Sequence, residues 1–372
     1  MAGAVRHLLA FGLGAACAAS VPPDRIFVSH AGSASISVLD SSSLSVRERI
    51  EVGLLPHNLV VSPDHRTLYA ALVGSQAVAE IDVASARLRR TFLTAPVPAM
   101  RADGSVIQAH RDQNAFAHAT CYDCHRDGGA SPKYAGDRPF GLLLSPDGRS
   151  LLVSHLRSSD VAMVDLETAA IERVVHLEPA GAASEPVALA RQGNEIWVAL
   201  RPPQPSTQPG ALRRLDEATL APLGDVPTGS DPGALLALPE HGRVLVSNFE
   251  SNTVTEHDAR GAAIPHEAAP GPLGLLALPE QRVLVLDYYS NAVTFLDFRA
   301  ASSSTVALGH DGVPFANPTH AALSSDARSA WVVTSGTEGH LLQIDLSSAA
   351  IVRDVSIDGL SFDVAVVPGA FR

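Results

Sequence analysis

One unit recurs along nearly the whole chain, and that recurrence limits the fold more than any other feature of the 372 residues. Each unit has a short apolar strand, a polar turn, a second apolar run, an alternating strand closing in Asp, a further strand and a proline-containing turn. The second runs are Ile26 to His30, Leu68 to Leu72, Leu151 to His155, Ile196 to Leu200, Val244 to Asn248, Val283 to Asp287 and Trp331 to Ser335. The strands after them close at Asp40, Asp82, Asp165, Asp216, Asp258, Asp297 and Asp345, and a period of two marks half-buried strands. Opening strands begin at Pro56, Pro139, Pro186, Pro232, Pro272, Pro318 and, without proline, Ser361, at spacings of 83, 47, 46, 40, 46 and 43 residues. Units of roughly 40 to 50 residues with four short strands are the mark of β-propeller blades. The pattern predicts an all-β, seven-bladed β-propeller over 24–372. Three strands precede the first proline turn, and Phe362 to Val367 forms one with nothing after it. The two chain ends are therefore expected to complete one blade together, which removes the exposed edges of an open ring.

Met1 to Ser20 sets Arg6 and His7 before the apolar run Leu8 to Leu13 and ends in small residues. That order predicts a secretory signal peptide over 1–20. The run is too short and Gly-rich to cross a bilayer, and no other segment offers about 18 consecutive apolar residues, so no transmembrane span is expected. Ala16-Cys17-Ala18 suits ordinary cleavage, whereas Leu13 to Cys17 is a lipobox with its leucine one place too far, which would make Cys17 a lipid tether. The expected location is periplasmic or secreted, with a lipid anchor as the alternative. A net charge of −12 repels phosphate backbones, so no nucleic-acid partner is expected. Lys133 is the sole lysine, which leaves Schiff-base chemistry a single side chain.

The spacing of 83 exceeds a normal blade by about 40 residues. Its excess, 95–137, loses the strand alternation and holds Cys121-Tyr122-Asp123-Cys124-His125. This is the CxxCH attachment motif of haem c. Two thiols three residues apart add to the two haem vinyl groups, and the adjacent imidazole reaches the iron, so Cys121 and Cys124 are the expected attachment residues and His125 the proximal ligand. With three cysteines and 15 histidines in the chain, chance would produce this spacing in about one such sequence per thousand. A CxxC disulfide or half a zinc site is the competing reading, but zinc would need further ligands and there is no second cysteine pair. A free-standing cytochrome c has a methionine ligand downstream; here Met100 lies upstream and Met163 sits in an alternating strand. The distal candidates within the insert are His110, His118 and Met100. His118 precedes His125 by 7 residues and His110 by 15, so His110 has the longer reach. The expected state is bis-His iron of low potential, with an insert or propeller histidine as distal ligand. A single CxxCH also argues against a two-haem peroxidase.

Ile26 to Asp40, Ser145-Pro146-Asp147-Gly148 and Val244 to Thr255 resemble the YVTN family of propeller repeats, over nearly the whole mature chain. The resemblance implies a scaffold shared with lactonase-like propellers, amine dehydrogenase heavy chains and haem-d1 propellers, and does not choose a chemistry. The chain looks like a YVTN propeller with a haem c segment grafted into one inter-blade loop.

In a four-stranded blade, inter-blade loops and the turns between second and third strands emerge on one face. His30 and His155, which end second strands, and His57 and His320, which begin first strands, are therefore expected on the insert's face near the channel, as a polar funnel and as further distal candidates. Asn248 and Asp287 share the repeat position of His30 and His155. His57 and His320 stand one repeat position apart, which in a regular strand turns side chains opposite ways. His65, His176, His241, His257 and His266 read as solvated turn or edge residues. The favoured function is a secreted cytochrome c-like electron-transfer protein working with a redox partner protein or a small-molecule electron donor or acceptor. A haem-free propeller scaffold and a lactonase-like propeller enzyme using the funnel are the alternatives.

Overall fold

The computed structural model describes residues 22–94, 138–177, 184–203, 206–258, 260–310 and 313–371. The described strands form seven four-stranded antiparallel sheets and one two-stranded ribbon, Gly309–His310 with Val313–Pro314. Blade 2 runs from Pro56–Val61 to Arg87–Leu93, blade 3 from Pro139–Leu144 to Ala170–His176, and blade 4 from Glu185–Gln192 to Pro222–Ser230. Blade 5 runs from Pro232–Leu238 to Ala263–Glu267, blade 6 from Pro272–Leu278 to Ser302–Ala307, and blade 7 from Pro318–Leu323 to Ala350–Ile357. Blade 1 joins Arg25–His30, Ser35–Asp40 and Val46–Glu51 to Ser361–Val367, its innermost strand. Val28 stands opposite Val364 in that pairing, and Arg25 opposite Val367. Each innermost strand packs against those of the two neighbouring blades, so the ring is closed.

Stacking between two neighbours explains the two sequence patterns. A second strand is covered on both faces, so Ile26-Phe27-Val28 and Val244-Leu245-Val246 are continuous apolar runs, all fully buried. The outermost strand Ala350–Ile357 alternates exposed and half-buried side chains. Each of the seven blade interfaces has its own apolar cluster, such as Phe27, Ile36, Leu68 and Ile81 between blades 1 and 2, or Val28, Leu39, Trp331 and Val333 between blades 7 and 1. The closing Asp of the third strand holds the next hairpin: Asp82 Oδ1 accepts from the Ser85 N–H and hydroxyl at 2.7 Å, and Asp216 Oδ1 does the same for Thr219. Those bonds hold the Asp82 carboxyl down at about 2.

Two details depart from the sequence reading. The second strand of blade 7 ends at Thr334, one residue before Ser335, because Thr334 pairs with Pro318 and its hydroxyl accepts the His340 N–H at 2.9 Å. The start of every innermost strand carries a register shift against its second strand, for example between Pro56 and Leu59 and between Pro318 and His320. A bulge breaks the in–out alternation where it occurs.

Neighbouring innermost strands approach closely at Gly274, where an added Cβ would lie 2.4 Å from the Thr319 carbonyl oxygen of the next blade and 2.9 Å from Leu286 Cδ1. Gly274→Ala is expected to cost about 2–3 kcal/mol, because backbone of blade 7 must shift to admit the methyl. The drop in urea midpoint at unchanged slope measures it.

Candidate functional site

The site begins where the insert leaves and rejoins the ring. Thr94 and Arg138, its described flanks, both attach to the end of the second strand of blade 3. The buried Thr94 hydroxyl bonds His155 Nε2 at 2.8 Å, and the Leu156 N–H donates to the Arg138 carbonyl at 3.0 Å. Cys121, Cys124, His125, His110, His118 and Met100 lie outside the described residues, as does the leader with Cys17.

His30, His155, Asn248 and Asp287 do end second strands at one repeat position, opposite Ser35, Asp160, Thr253 and Ala292. Each is fully buried, which corrects the expectation of an open polar funnel. His30 Nδ1 bonds the Ser361 hydroxyl at 2.7 Å and Nε2 the Ser37 hydroxyl at 2.8 Å. Burial pulls its pKa down to about 4. His155 Nδ1 meets Asp160 Oδ1 at 2.7 Å, so with Thr94 both of its nitrogens are also engaged. Asn248 donates to the Thr253 and Thr255 hydroxyls and accepts from Thr228. Asp287 Oδ2 accepts from the Thr294 hydroxyl at 2.7 Å, and burial raises this carboxyl to about 7. These four tie the top of the second strand to the strands beside it, since a buried polar side chain must be bonded to be tolerated. His257 is likewise buried rather than solvated, its ring centroid 6.2 Å from that of Trp197, and burial lowers its pKa.

The bulges bring His57 and His320 to one ring despite their different repeat positions. Phe362 of blade 1 lies between them, its centroid 3.7 Å from His57 and 4.7 Å from His320. Phe140 of blade 3 meets both of the first two rings, its centroid 4.9 Å from His57 and 5.8 Å, edge-on, from Phe362. Four consecutive blades, 3, 2, 1 and 7, thus contribute Phe140, His57, Phe362 and His320 to one row at the channel mouth. His57 is buried, and burial together with the neighbouring His320 holds its pKa at about 3. The other three rings are half-buried. His320 Nδ1 lies 3.1 Å from the Phe362 carbonyl oxygen.

Beneath the row, the Ser29 hydroxyl accepts the Asp363 N–H at 3.0 Å and donates to the His57 carbonyl at 2.7 Å, joining blades 1 and 2. Ser247 does the same for Ala234 and Leu273. The Asp363 carboxylate accepts the Leu59 and Val364 N–H groups at 2.7 Å; burial raises its pKa, and His320 opposes the rise. Phe140, Phe362 and Asp363 were missed as site residues, although each follows the turn that opens an innermost strand, as His57 and His320 do. That shared position was the available signal.

Among the described residues no group of three or more His, Cys, Asp or Glu side chains is placed to hold a metal ion. No helix among them is long and apolar enough to cross a membrane. A cavity of about 300 Å³ opens between the outer strands of blades 5 and 6, lined by Arg243, Glu256 and His266. Its buried Glu256 is already bonded by Arg243 at 2.6 Å and His266 at 3.0 Å.

Fold and site together define a seven-bladed propeller with a row of aromatic rings across one end of its channel. In solved structures the chain is similar to Kuenenia stuttgartiensis hydrazine synthase, at TM-score 0.62 and 13% identity over 94% of this chain and 99% of that one. It is also similar to a streptogramin B lyase (TM-score 0.60, 12% identity, 83% of this chain and 86% of that one). A third is the dihydro-heme d1 dehydrogenase NirN in complex with DHE (TM-score 0.58, 15% identity, 92% and 75%). At such identities the likeness is one of fold. No family model matches the chain, and no curated protein matches it.

Proposed function

We propose that this chain is an exported c-type haem protein that carries electrons, with a YVTN-like propeller as its scaffold. The observation that carries the reading is Cys121-Tyr122-Asp123-Cys124-His125 within an insert of one inter-blade loop, behind a signal-like segment at 1–20. Haem c attached there supplies one-electron redox chemistry at its iron. The chain's own part is to hold it: Cys121 and Cys124 by thioethers, His125 as proximal ligand, and a second histidine at the distal side. The described residues suit a haem in one respect, a band of aromatic rings with an imidazole at its end on the face from which the insert departs. One of the similar solved structures, the dihydro-heme d1 dehydrogenase in complex with DHE, is a redox enzyme by its title, which agrees with the reading. The working location is the periplasm or outside the cell, and the partner a redox protein or a small electron donor or acceptor.

Intact mass tests this. Expressed with its leader in a host that matures cytochromes c, the protein is expected to weigh one haem more than its processed polypeptide, and to lose that increment when Cys121 and Cys124 are both changed to Ser. A parent mass equal to the bare polypeptide would overturn it.

A further inference from the structure

We propose that the adjoining turns of blades 5 and 6 form a docking patch for a basic partner protein, whose arginine or lysine side chains stack on Tyr289 and pair with Glu250. Such docking requires no haem, so it stands apart from the haem c reading above.

The turn after Arg243–Asn248 reads Phe249-Glu250-Ser251-Asn252, and the turn after Arg282–Asp287 reads Tyr288-Tyr289-Ser290-Asn291. Their three rings meet: the Phe249 centroid lies 4.6 Å from Tyr289 and 5.8 Å from Tyr288, and the two tyrosines are 5.7 Å apart. The fold does not ask for these rings, since the corresponding turns of blades 1, 2, 3 and 7 open with Ala31-Gly32, Val73-Gly74, Leu156-Arg157 and Ser335-Gly336. Tyr289 is 59% exposed, the most open large apolar or aromatic side chain among the described residues. It is also held in place. The Tyr288 N–H donates to the Gly271 carbonyl at 2.7 Å, the Ser290 N–H to that of Pro270 at 3.2 Å, and the Gly271 N–H to Asn252 Oδ1 at 2.9 Å. Gly271 has a φ of +77°, and an added Cβ would lie 2.8 Å from the Tyr289 nitrogen and 2.9 Å from its ring. An exposed aromatic side chain on a fixed turn loses little freedom on binding.

The charge beside the rings is negative. Arg201 bridges Glu185 at 2.8 Å and Asp231 at 3.3 Å, so one guanidinium already serves two carboxylates. Glu250 is exposed, and among the described residues no basic side chain pairs with it; its Oε1 accepts the Tyr289 hydroxyl at 3.4 Å. The Phe249 and Glu250 N–H groups donate to the Asp231 and Ser230 carbonyls at 2.9 and 3.3 Å, which fixes this turn beside Asp231. Burial raises the Asp231 pKa, Arg201 opposes the rise, and Glu250 adds to it, so the two carboxylates feel each other. A cation over Tyr289 therefore meets the negative face of a ring and an unneutralised carboxylate in one place. Arginine suits both, because its flat guanidinium stacks on a ring while its edge donates to a carboxylate. Exposed turns offer a surface on which a protein can lie, and tyrosine and arginine are among the side chains that carry most interface energy. A second copy of this chain fits poorly, because it brings the same carboxylates and a net charge of −12.

Fluorescence anisotropy of a labelled peptide of alternating arginine and glycine, titrated with the purified protein, tests the patch. Binding is expected at low ionic strength and to weaken about tenfold at physiological salt. Tyr289→Ala is expected to weaken it about fivefold and Glu250→Gln about threefold. Tyr289→Phe, which keeps the ring, and Glu172→Gln, which removes an equal charge from the outermost strand of blade 3, are expected to change it by less than about twofold. Glu250→Gln is a conservative surface exchange and carries the test even if Tyr289→Ala disturbs its turn. Equal losses in Glu172→Gln and Glu250→Gln would make the attraction diffuse and overturn the patch. So would a peptide that does not bind, a Tyr289→Ala protein that binds as the parent does, or free arginine bound as tightly as the peptide, which would make this a small-cation site. A protein that binds the peptide through Tyr289 and Glu250 but carries no covalent haem keeps this inference and loses the haem reading.

Discussion

Deleting residues 361–372 is expected to abolish the ring rather than shorten it. Ser361–Val367 is the innermost strand of blade 1 and supplies its pairing to Arg25–His30. It buries Val364, Ala365 and Val367 in the clusters on both sides of that blade. It also joins three blades by hydrogen bonds: Thr319 of blade 7 donates to the Phe362 carbonyl at 2.6 Å, Ser361 bonds His30, and Asp363 receives the Leu59 N–H of blade 2. The apolar burial is worth about 5 kcal/mol, and the hydrogen bonds add about 1 kcal/mol each. Their total approaches the whole stability of an ordinary domain. The truncated chain should show no cooperative thermal transition by circular dichroism, and a peptide of 361–372 added in trans should restore one. A truncated protein melting at the parent temperature would mean that the closing strand is dispensable.

How much of this was legible beforehand follows from where regularity ends. The seven second strands announced themselves because a strand covered on both faces must be apolar throughout, and Val244-Leu245-Val246 leaves little choice. The closing Asp residues were equally plain, since each holds its hairpin by a local bond that needs no distant partner. What the chain did not disclose depends on partners far away in sequence. Whether His30 would face solvent or be buried turned on Ser361, 331 residues distant. The meeting of His57 and His320 on Phe362 needs a bulge at the start of each innermost strand, and alternation carries no trace of a bulge. His257 reads from the sequence as a solvated blade-edge residue, yet its side chain is buried near the Trp197 ring of the neighbouring blade, a partner 60 residues away in sequence. The CxxCH segment is the reverse case: its spacing alone carries the expectation of covalent haem attachment, and it lies outside the described residues, so that reading stands on the sequence.

Asp287→Asn is expected to stabilise the protein strongly in mild alkali and hardly at all in acid. Asp287 is fully buried; one carboxyl oxygen is bonded by Thr294, and the other has no hydrogen bond among the described residues. Burial raises its pKa to about 7, against 3.8 for the carboxyl in an unfolded chain. A raised carboxyl contributes stability that is complete below about pH 4 and is lost as the pH rises through 7, because the unfolded chain releases the proton that the folded one retains. Each pH unit of that interval costs about 1.4 kcal/mol. The buried His30 and His57 slope the other way: their lowered pKa values make the fold lose stability as pH falls below about 6.5. Only the difference between variant and parent therefore isolates Asp287. The replacement has a precedent in the same molecule, since Asn248 occupies this repeat position in blade 5 and donates to the Thr255 hydroxyl, the counterpart of the Thr294 hydroxyl that donates to Asp287. An amide should thus keep the contact and remove the charge. Urea midpoints should give the variant a gain of about 3 kcal/mol at pH 8, shrinking into the error near pH 4. An equal gain at both pH values would mean that Asp287 does not titrate in this range, and a loss at pH 8 that its carboxylate is stabilised by the fold.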